Sequence, residues 1–279
     1  MIEFKNVYFS YQKGIEVLHD ISLKINSGEF VAIIGKNGAG KSTLAKHVNG
    51  LLRPTKGAVF LNDKDIAKKP LSALAKEVGL AFQNPDHQLF AESVEKELAF
   101  GPLNLGFSDE ECQKKVRELA NFFDIEHLLP RSPFSLSGGE KRLVSIASVL
   151  TMGQKILILD EPTFGQDQKQ KNLLGQLLQE LNDKGLTIVI ISHDLDFVLS
   201  YSTRVVILQD GEIIADGKPL KILQEKSFLQ EAGLRKPFVL EIIEEIQSIK
   251  PDFPLVCSKE LVVKNLNEYF FQRNERRFK

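Results

Sequence analysis

Five apolar residues, Phe30 to Ile34, run straight into Gly35-Lys36-Asn37-Gly38-Ala39-Gly40-Lys41-Ser42-Thr43, and a helical run continues to Asn49. Strand, glycine-rich loop and helix in immediate succession constrain the fold more than any other feature of the chain. Gly35, Gly38 and Gly40 let the backbone turn through conformations that a side chain blocks, so successive N–H groups converge on one anion. The helix that starts at Lys41 adds the positive end of its dipole. The pattern G-x-x-x-x-G-K-[ST] is the Walker A phosphate loop. It predicts that Lys41 reaches the β- and γ-phosphates of a nucleotide, that the Ser42 hydroxyl ligates Mg²⁺, and that Thr43 is structural.

Two further apolar runs end in reactive side chains. Ile156 to Leu159 leads into Asp160 and Glu161, the Walker B pattern, and Leu186 to Ile191 leads into Ser192-His193-Asp194. Fully apolar strands are what a parallel sheet buried on both faces demands, and ligands bind at the carboxyl edge of such sheets. Asp160 is expected to hold Mg²⁺ and Glu161 to orient or deprotonate the attacking water, with His193 within reach of the γ-phosphate or that water. Pro162 follows directly and argues against a mere capping role for the carboxylates.

Around this core the chain reads as strands at Ile2–Tyr11, Leu18–Ile25, Ala58–Leu61 and Val78–Phe82, with short helices at Leu71–Glu77 and Glu92–Ala99. Gly101 to Gly106 reads as a loop. Ser108 and Glu111 form a capping box that opens a helix with Cys112, Val116, Leu119, Phe122 and Phe123 on its apolar side. The block from about 84 to 154 is therefore a helical insertion between core strands. Near its end, Leu136-Ser137-Gly138-Gly139-Glu140 precedes another helical run. Ser137, Gly138 and Gly139 fit a second anion cradle, and equally an N-cap serine with flexible glycines. Tyr11, at a strand end, fits either packing or a platform for a purine ring. From Pro219 onward, Leu220–Lys226, Phe238–Ile249 and Leu261–Arg273 read as amphipathic helices, with a basic tail from Arg273 to Lys279.

Composition narrows the function. A net charge of −1 provides no global field to hold nucleic acid. Two distant cysteines, Cys112 and Cys257, argue for a reduced chain without a disulfide frame or structural zinc. The start, Met1 to Lys5, lacks the pattern of a secretory signal. The apolar runs fall far short of the ~20 residues a bilayer requires, so any membrane path is expected to come from another chain.

In this order the motifs resemble an ATP-binding cassette (ABC) ATPase over roughly 2–217. The resemblance implies an α/β fold: a P-loop NTPase core of mostly parallel sheet, an antiparallel β subdomain, an inserted helical subdomain and an α-helical extension. It divides the chain into a cassette at 1–218 and an extension at 219–279 that helps hold a dimer. It makes Gln83 the Q-loop glutamine at the Mg²⁺ and the water, and Ser137–Gly139 the signature that completes the ATP site of a partner cassette. His193 becomes the switch histidine, and Tyr11 a residue that stacks on adenine. Phe82 to Phe90 and Phe100 to Gly106 more closely resemble the ATPases of energy-coupling factor (ECF) transporters, which import vitamins and transition-metal ions. Expected partners are a second ABC ATPase, identical or related, and an integral membrane scaffold, through which a substrate-binding membrane subunit is reached. Its expected place is peripheral, at the cytoplasmic face of the cell membrane.

Three positions depart from the pattern: Glu140 stands where glutamine is commonest, Phe164-Gly165-Gln166-Asp167 replaces the commoner small residue, glycine, leucine and aspartate, and Lys36 replaces proline or arginine. The alternative, a soluble ABC protein acting on nucleic acid or ribosomes, is opposed by the near-neutral charge, the single cassette and the lack of a coiled-coil insertion or basic linker. A regulatory module without turnover is opposed by the filled catalytic positions Glu161 and His193.

Overall fold

The computed structural model describes residues 1–258 and 261–268. Its centre is a six-stranded sheet in the order β10-β9-β3-β8-β7-β6. The strands are β3 (Phe30–Ile34), β6 (Val78–Ala81), β7 (Ile156–Asp160), β8 (Thr187–Ile191), β9 (Arg204–Gln209) and β10 (Glu212–Gly217). All neighbours pair in parallel except β10, which returns antiparallel along β9.

The unbroken apolar character of the central strands follows from their alternation. Phe30, Ala32 and Ile34 of β3, Leu157 and Leu159 of β7, and Ile188 and Ile190 of β8 enter one core, shared with the helices. Val31 and Ile33, Ile156 and Ile158, and Val189 and Ile191 enter the other. Successive strand side chains point to opposite faces, and here both faces are buried. The second core is closed by α1 (Lys41–Val48) and by an antiparallel sheet of β2 (Ile15–Ile25), β1 (Ile2–Gln12), β4 (Lys56–Leu61) and β5 (Lys64–Asp65).

Between β6 and β7 lie α3 (Val94–Asn104), α4 (Asp109–Phe122) and α5 (Gly138–Leu150), after the short α2 (Leu71–Ala75) that precedes β6. The Ser108–Glu111 capping box is present at the start of α4. The expected loop at 101–104 is instead the last turn of α3, which contains Pro102. Tertiary contact overrides local propensity there: a Cβ on Gly101 would fall 2.6 Å from Met152 Cγ, so this glycine lets α3 close on the segment after α5. The N–H groups of Leu105 and Phe107 then bond to Gly101 O and Pro102 O and close the helix end.

Two helices carry the chain from the site to the C-terminal segment, α6 (Gln168–Asp183) and α7 (Leu195–Tyr201). Beyond β10, α8 (Pro219–Gln224), α9 (Lys226–Glu231) and α10 (Phe238–Ile249) follow, and 261–268 is helical. Helix α10 has the bounds its periodicity predicts. The helix expected from 220 to 226 ends early, at Glu225, whose ψ of 105° is extended. Ile222, Leu223, Val239, Leu240 and Ile243 enter the same core as Val198 and Leu199 of α7, so the C-terminal helices share apolar packing with the helices that precede them. The basic tail and the end of the last expected helix lie outside the described residues.

Candidate functional site

The carboxyl ends of β3, β8, β7 and β6 stand side by side, and each delivers one motif: the phosphate loop, His193, Asp160 with Glu161, and Gln83. Motifs scattered along the chain therefore converge because their strands are neighbours in the sheet. They line a cleft of about 850 Å³ that contains Lys41, Ser42, Gln83, Asp160, Glu161 and His193, with Tyr11 also in its wall. An edge of this kind is where open α/β sheets bind ligands.

The phosphate loop is shaped by its glycines. Gly35 has φ of +149°, and a Cβ there would lie 2.0 Å from Leu208 O. Gly40, at φ +98°, precedes α1 as its N-cap, and a Cβ would press on Leu18 at 2.8 Å. Lys36, Asn37, Gly38 and Thr43 reach the cleft, whereas Ala39 is buried and its N–H donates to Lys36 O at 3.2 Å. Lys41 is 7% exposed, and its Nζ donates to Gly35 O and Lys36 O, each at 2.8 Å. The ammonium thus closes the loop on itself. Burial pushes the Lys41 pKa down, while Glu161 and then Asp160 pull it back up.

Glu161 is 7% exposed with φ of +47°, a left-handed conformation uncommon for a non-glycine residue. Strain of this kind concentrates at functional sites. Its Oε2 lies 2.7 Å from His193 Nδ1 and accepts the His193 N–H at 3.3 Å. The histidine ring itself remains largely open to solvent. Asp194 caps α7 through Phe197 N–H and accepts from Lys171 Nζ at 2.6 Å, which fixes the backbone beside His193.

Gln83 sits in a segment strapped to α5. Arg142, 3% exposed, donates to Phe82 O at 2.7 Å and to Gln83 O. Lys141 pairs with Asp86 at 2.7 Å, and Gln88 donates to Ser145 O at 2.7 Å while accepting from Phe82 N–H. Burial lowers the Arg142 pKa to about 10 despite the attraction of Asp160.

Ser137 and Gly138 are exposed and, with Gly139, lie outside the wall of the cleft. Ser137 is the N-cap of α5 in a full capping box: its Oγ accepts from Glu140 N–H and donates to Glu140 Oε2, which also accepts Ser137 N–H. Tyr11 is 57% exposed, its hydroxyl 3.0 Å from Thr43 Oγ1 and its ring edge-on to Phe9. It is held from behind, with ring surface left to the solvent.

Sequence reasoning missed five contributors. Val17, Phe164, Ile191, Gly233 and Leu234 also line the cleft. Phe164 stands three residues after Glu161, a proximity visible in the sequence; nothing local marks Gly233 or Leu234. For Mg²⁺ the donor set fits: the Ser42 hydroxyl, the Asp160 carboxylate and the Gln83 amide oxygen are hard oxygens in one cleft. Among the described residues no group of three or more His, Cys, Asp or Glu gathers as a metal cluster. A nucleotide-dependent ion instead shares phosphate oxygens with few protein ligands.

A phosphate loop, a carboxylate pair and a histidine on adjoining ends of a parallel sheet, with a helical insertion after β6, define a P-loop nucleotide-hydrolysing cassette. The family described as ABC transporter matches residues 18–164. A relative from Methanocaldococcus jannaschii named energy-coupling factor transporter ATP-binding protein EcfA is 44% identical over 91% of this chain and 92% of its own. Among solved structures, CbiO1 from Clostridium perfringens, described as part of the ABC transporter complex CbiONQ, is 36% identical. It superposes with a TM-score of 0.77 over 87% of this chain and 98% of its own. The cassette MJ0796, in a dimeric post-hydrolysis state bound to ADP and Pi, is 30% identical with a TM-score of 0.71, over 78% and 99%. The chain belongs to the ABC transporter family, among the ATP-binding proteins of energy-coupling factor transporters. Its activity is ATP hydrolysis coupled to transport.

Proposed function

We propose that this chain works as one of two facing cassettes on the cytoplasmic side of a membrane, powering an importer of vitamins or transition-metal ions. One observation carries the reading: its two anion cradles are apart. The loop 35–43 lines the cleft, whereas Ser137, Gly138 and Gly139 stand at the exposed start of α5, outside it. A cradle that stands outside the cleft of its own chain fits a nucleotide held by another protomer, and the dimeric state of MJ0796 supports that arrangement. The cassette would span 1–218, with 84–154 as its helical part and 219–279 as an extension that steadies the pair.

In this reading the loop N–H groups and Lys41 hold the triphosphate, and Lys41 turns from the Gly35 and Lys36 carbonyls toward phosphate. Tyr11 supports the adenine. Ser42, Asp160 and Gln83 hold Mg²⁺, which when bound offsets the charge of the phosphates. Glu161 takes a proton from the attacking water as a buried base, and His193 holds that carboxylate in place. The partner's Ser137–Gly139 equivalent brings donors to charge that develops in the transition state. Release of ADP and phosphate removes the bridging ligand and lets the pair part.

The exposed Phe90 and Phe100 rings meet edge to face at 4.7 Å, close in sequence to the Q-loop, and Leu103 is also exposed. Glu97, 4% exposed, accepts the N–H groups of Phe90 and Ala91 and holds this loop in shape. A firm apolar patch of this kind suits a helix of a membrane scaffold, onto which a substrate-binding membrane subunit docks. No helix among the described residues is long and apolar enough to cross a membrane. Native mass spectrometry of complexes extracted in mild detergent tests the proposal. Two cassettes with integral membrane proteins are expected; co-purified RNA or ribosomal proteins, or the cassette alone, would overturn it.

A further inference from the structure

The turn after α9 touches the phosphate loop. Gly233 has φ of +56°, and a Cβ there would fall 1.7 Å from Lys36 Cε and 2.4 Å from its Nζ. The Lys36 side chain therefore lies in the space that a side chain at 233 would occupy. Gly233 N–H donates to Gln230 O and Leu234 N–H to Leu229 O, the ending of a helix that a left-handed glycine allows. Capping alone explains the backbone of Gly233. It does not explain why this helix end sits on the second residue of the Walker A motif.

Lys36 is gripped from two directions. Its carbonyl accepts from Lys41 Nζ and its side chain rests on Gly233. A few residues on, Val239 N–H at the start of α10 donates to Asp196 Oδ1 of α7, three residues after His193. A second cavity of about 470 Å³ lies between these segments, walled by His193, Asp194, Leu234, Arg235 and Phe238. The C-terminal segment thus leans on both loops that face the nucleotide.

We propose that Gly233 is a positioning residue for the phosphate loop: the turn at 233–234 seats Lys36, and Lys36 links nucleotide occupancy to the placement of the C-terminal helices. This rests on the reading that loop 35–43 holds the triphosphate. Lys41 must leave the Lys36 carbonyl to meet phosphate, which leaves that carbonyl to the Ala39 N–H alone and loosens the residue on which the turn rests. Coupling of this kind is reciprocal, so whatever the turn does to nucleotide affinity, nucleotide does to the turn.

The test is a double-mutant cycle on the full chain, read by binding of a fluorescent, non-hydrolysable ATP analogue and by steady-state turnover. Gly233→Ala displaces the mobile end of Lys36. It is expected to weaken analogue binding about fivefold, within the range for residues in contact, with the loss falling on KM more than on kcat. In a Lys36→Ala background the same change is expected to alter binding by less than about twofold, since the contact is already gone. Gly233→Asn, a residue type that tolerates positive φ, keeps the helix end and should repeat the result. Equal losses in both backgrounds, or none in the wild-type background, overturn the proposal. Failure of the wild-type chain to bind the analogue would instead defeat the underlying assignment of the phosphate site.

Discussion

Arg142→Met isolates the bond between the signature helix and the Q-loop. Arg142 donates to two carbonyls, Phe82 O and Gln83 O, from a site where it is 3% exposed. Bonds from a charged donor contribute ~1.5–3 kcal/mol each. Against this stands the penalty of keeping the charge in a buried place, which lowers the pKa from the ordinary guanidinium value to about 10, or ~3 kcal/mol by the conversion of pKa to free energy. Methionine removes both contributions and leaves two part-buried acceptors without this donor, each at the low end of the ~1–3 kcal/mol cost of an unmet bond because Phe82 and Gln83 are themselves exposed. The expected net loss is therefore ~2–5 kcal/mol, a fall in Tm of roughly 4–20 °C for a chain of this size. Differential scanning calorimetry and urea unfolding measure it. Turnover measured well below the new Tm should also fall, because the Gln83 backbone loses its anchor. A variant within about 1 °C of wild type with unchanged turnover would refute the reasoning, since the scale set by its lost bonds is several times larger.

Two further outcomes follow from the site. Glu161→Gln keeps an amide oxygen for the His193 N–H but is a poor base, so ATP binding should persist while turnover falls ~10² or more, on the scale of lost general-base catalysis; wild-type hydrolysis would remove the role assigned to Glu161. At the signature, hydrogen bonds from Ser137 hold the Glu140 pKa below its ordinary 4.5. Its contribution to stability is therefore present above about pH 4.5 and is lost as pH falls through the lower folded-state value. Glu140→Gln should flatten that acid limb in urea titrations, and an unaltered limb would mean that the capping box carries none of it.

The central sheet was legible because its demands are local. Phe30–Ile34, Ile156–Leu159 and Thr187–Ile191 are apolar at every position, or nearly so, since both faces are buried, and each runs into its motif without an intervening segment. The Ser108–Glu111 box was equally readable, because a cap depends on residues three apart, whereas at Ser137 only an N-cap was among the readings and the structure adds Glu140 to complete a second box. The end of α3 was not. Gly101-Pro102 looks like a loop until Met152, distant in the chain, fills the space beside Gly101. Arg142 was hidden for the same reason: an arginine just after the signature resembles a solvated helix charge, and only the approach of Phe82 and Gln83 reveals its burial. Gly233 and Leu234 reach the cleft through the path of α8 and α9, which no local pattern encodes. The residues proposed for the chemistry carried local signals, while those that hold them in place became visible only in three dimensions.

The three straps between 82–88 and α5 bear on how such cassettes are recombined. A graft that exchanges the helical insertion at residue 84 would take Arg142 from one parent and the Phe82 and Gln83 carbonyls from the other. Those carbonyls are backbone groups, so a foreign donor helix is accepted wherever it too brings an arginine at this depth. Placing the splice before Val78 rather than after Gln83 would carry anchor and anchored loop across together.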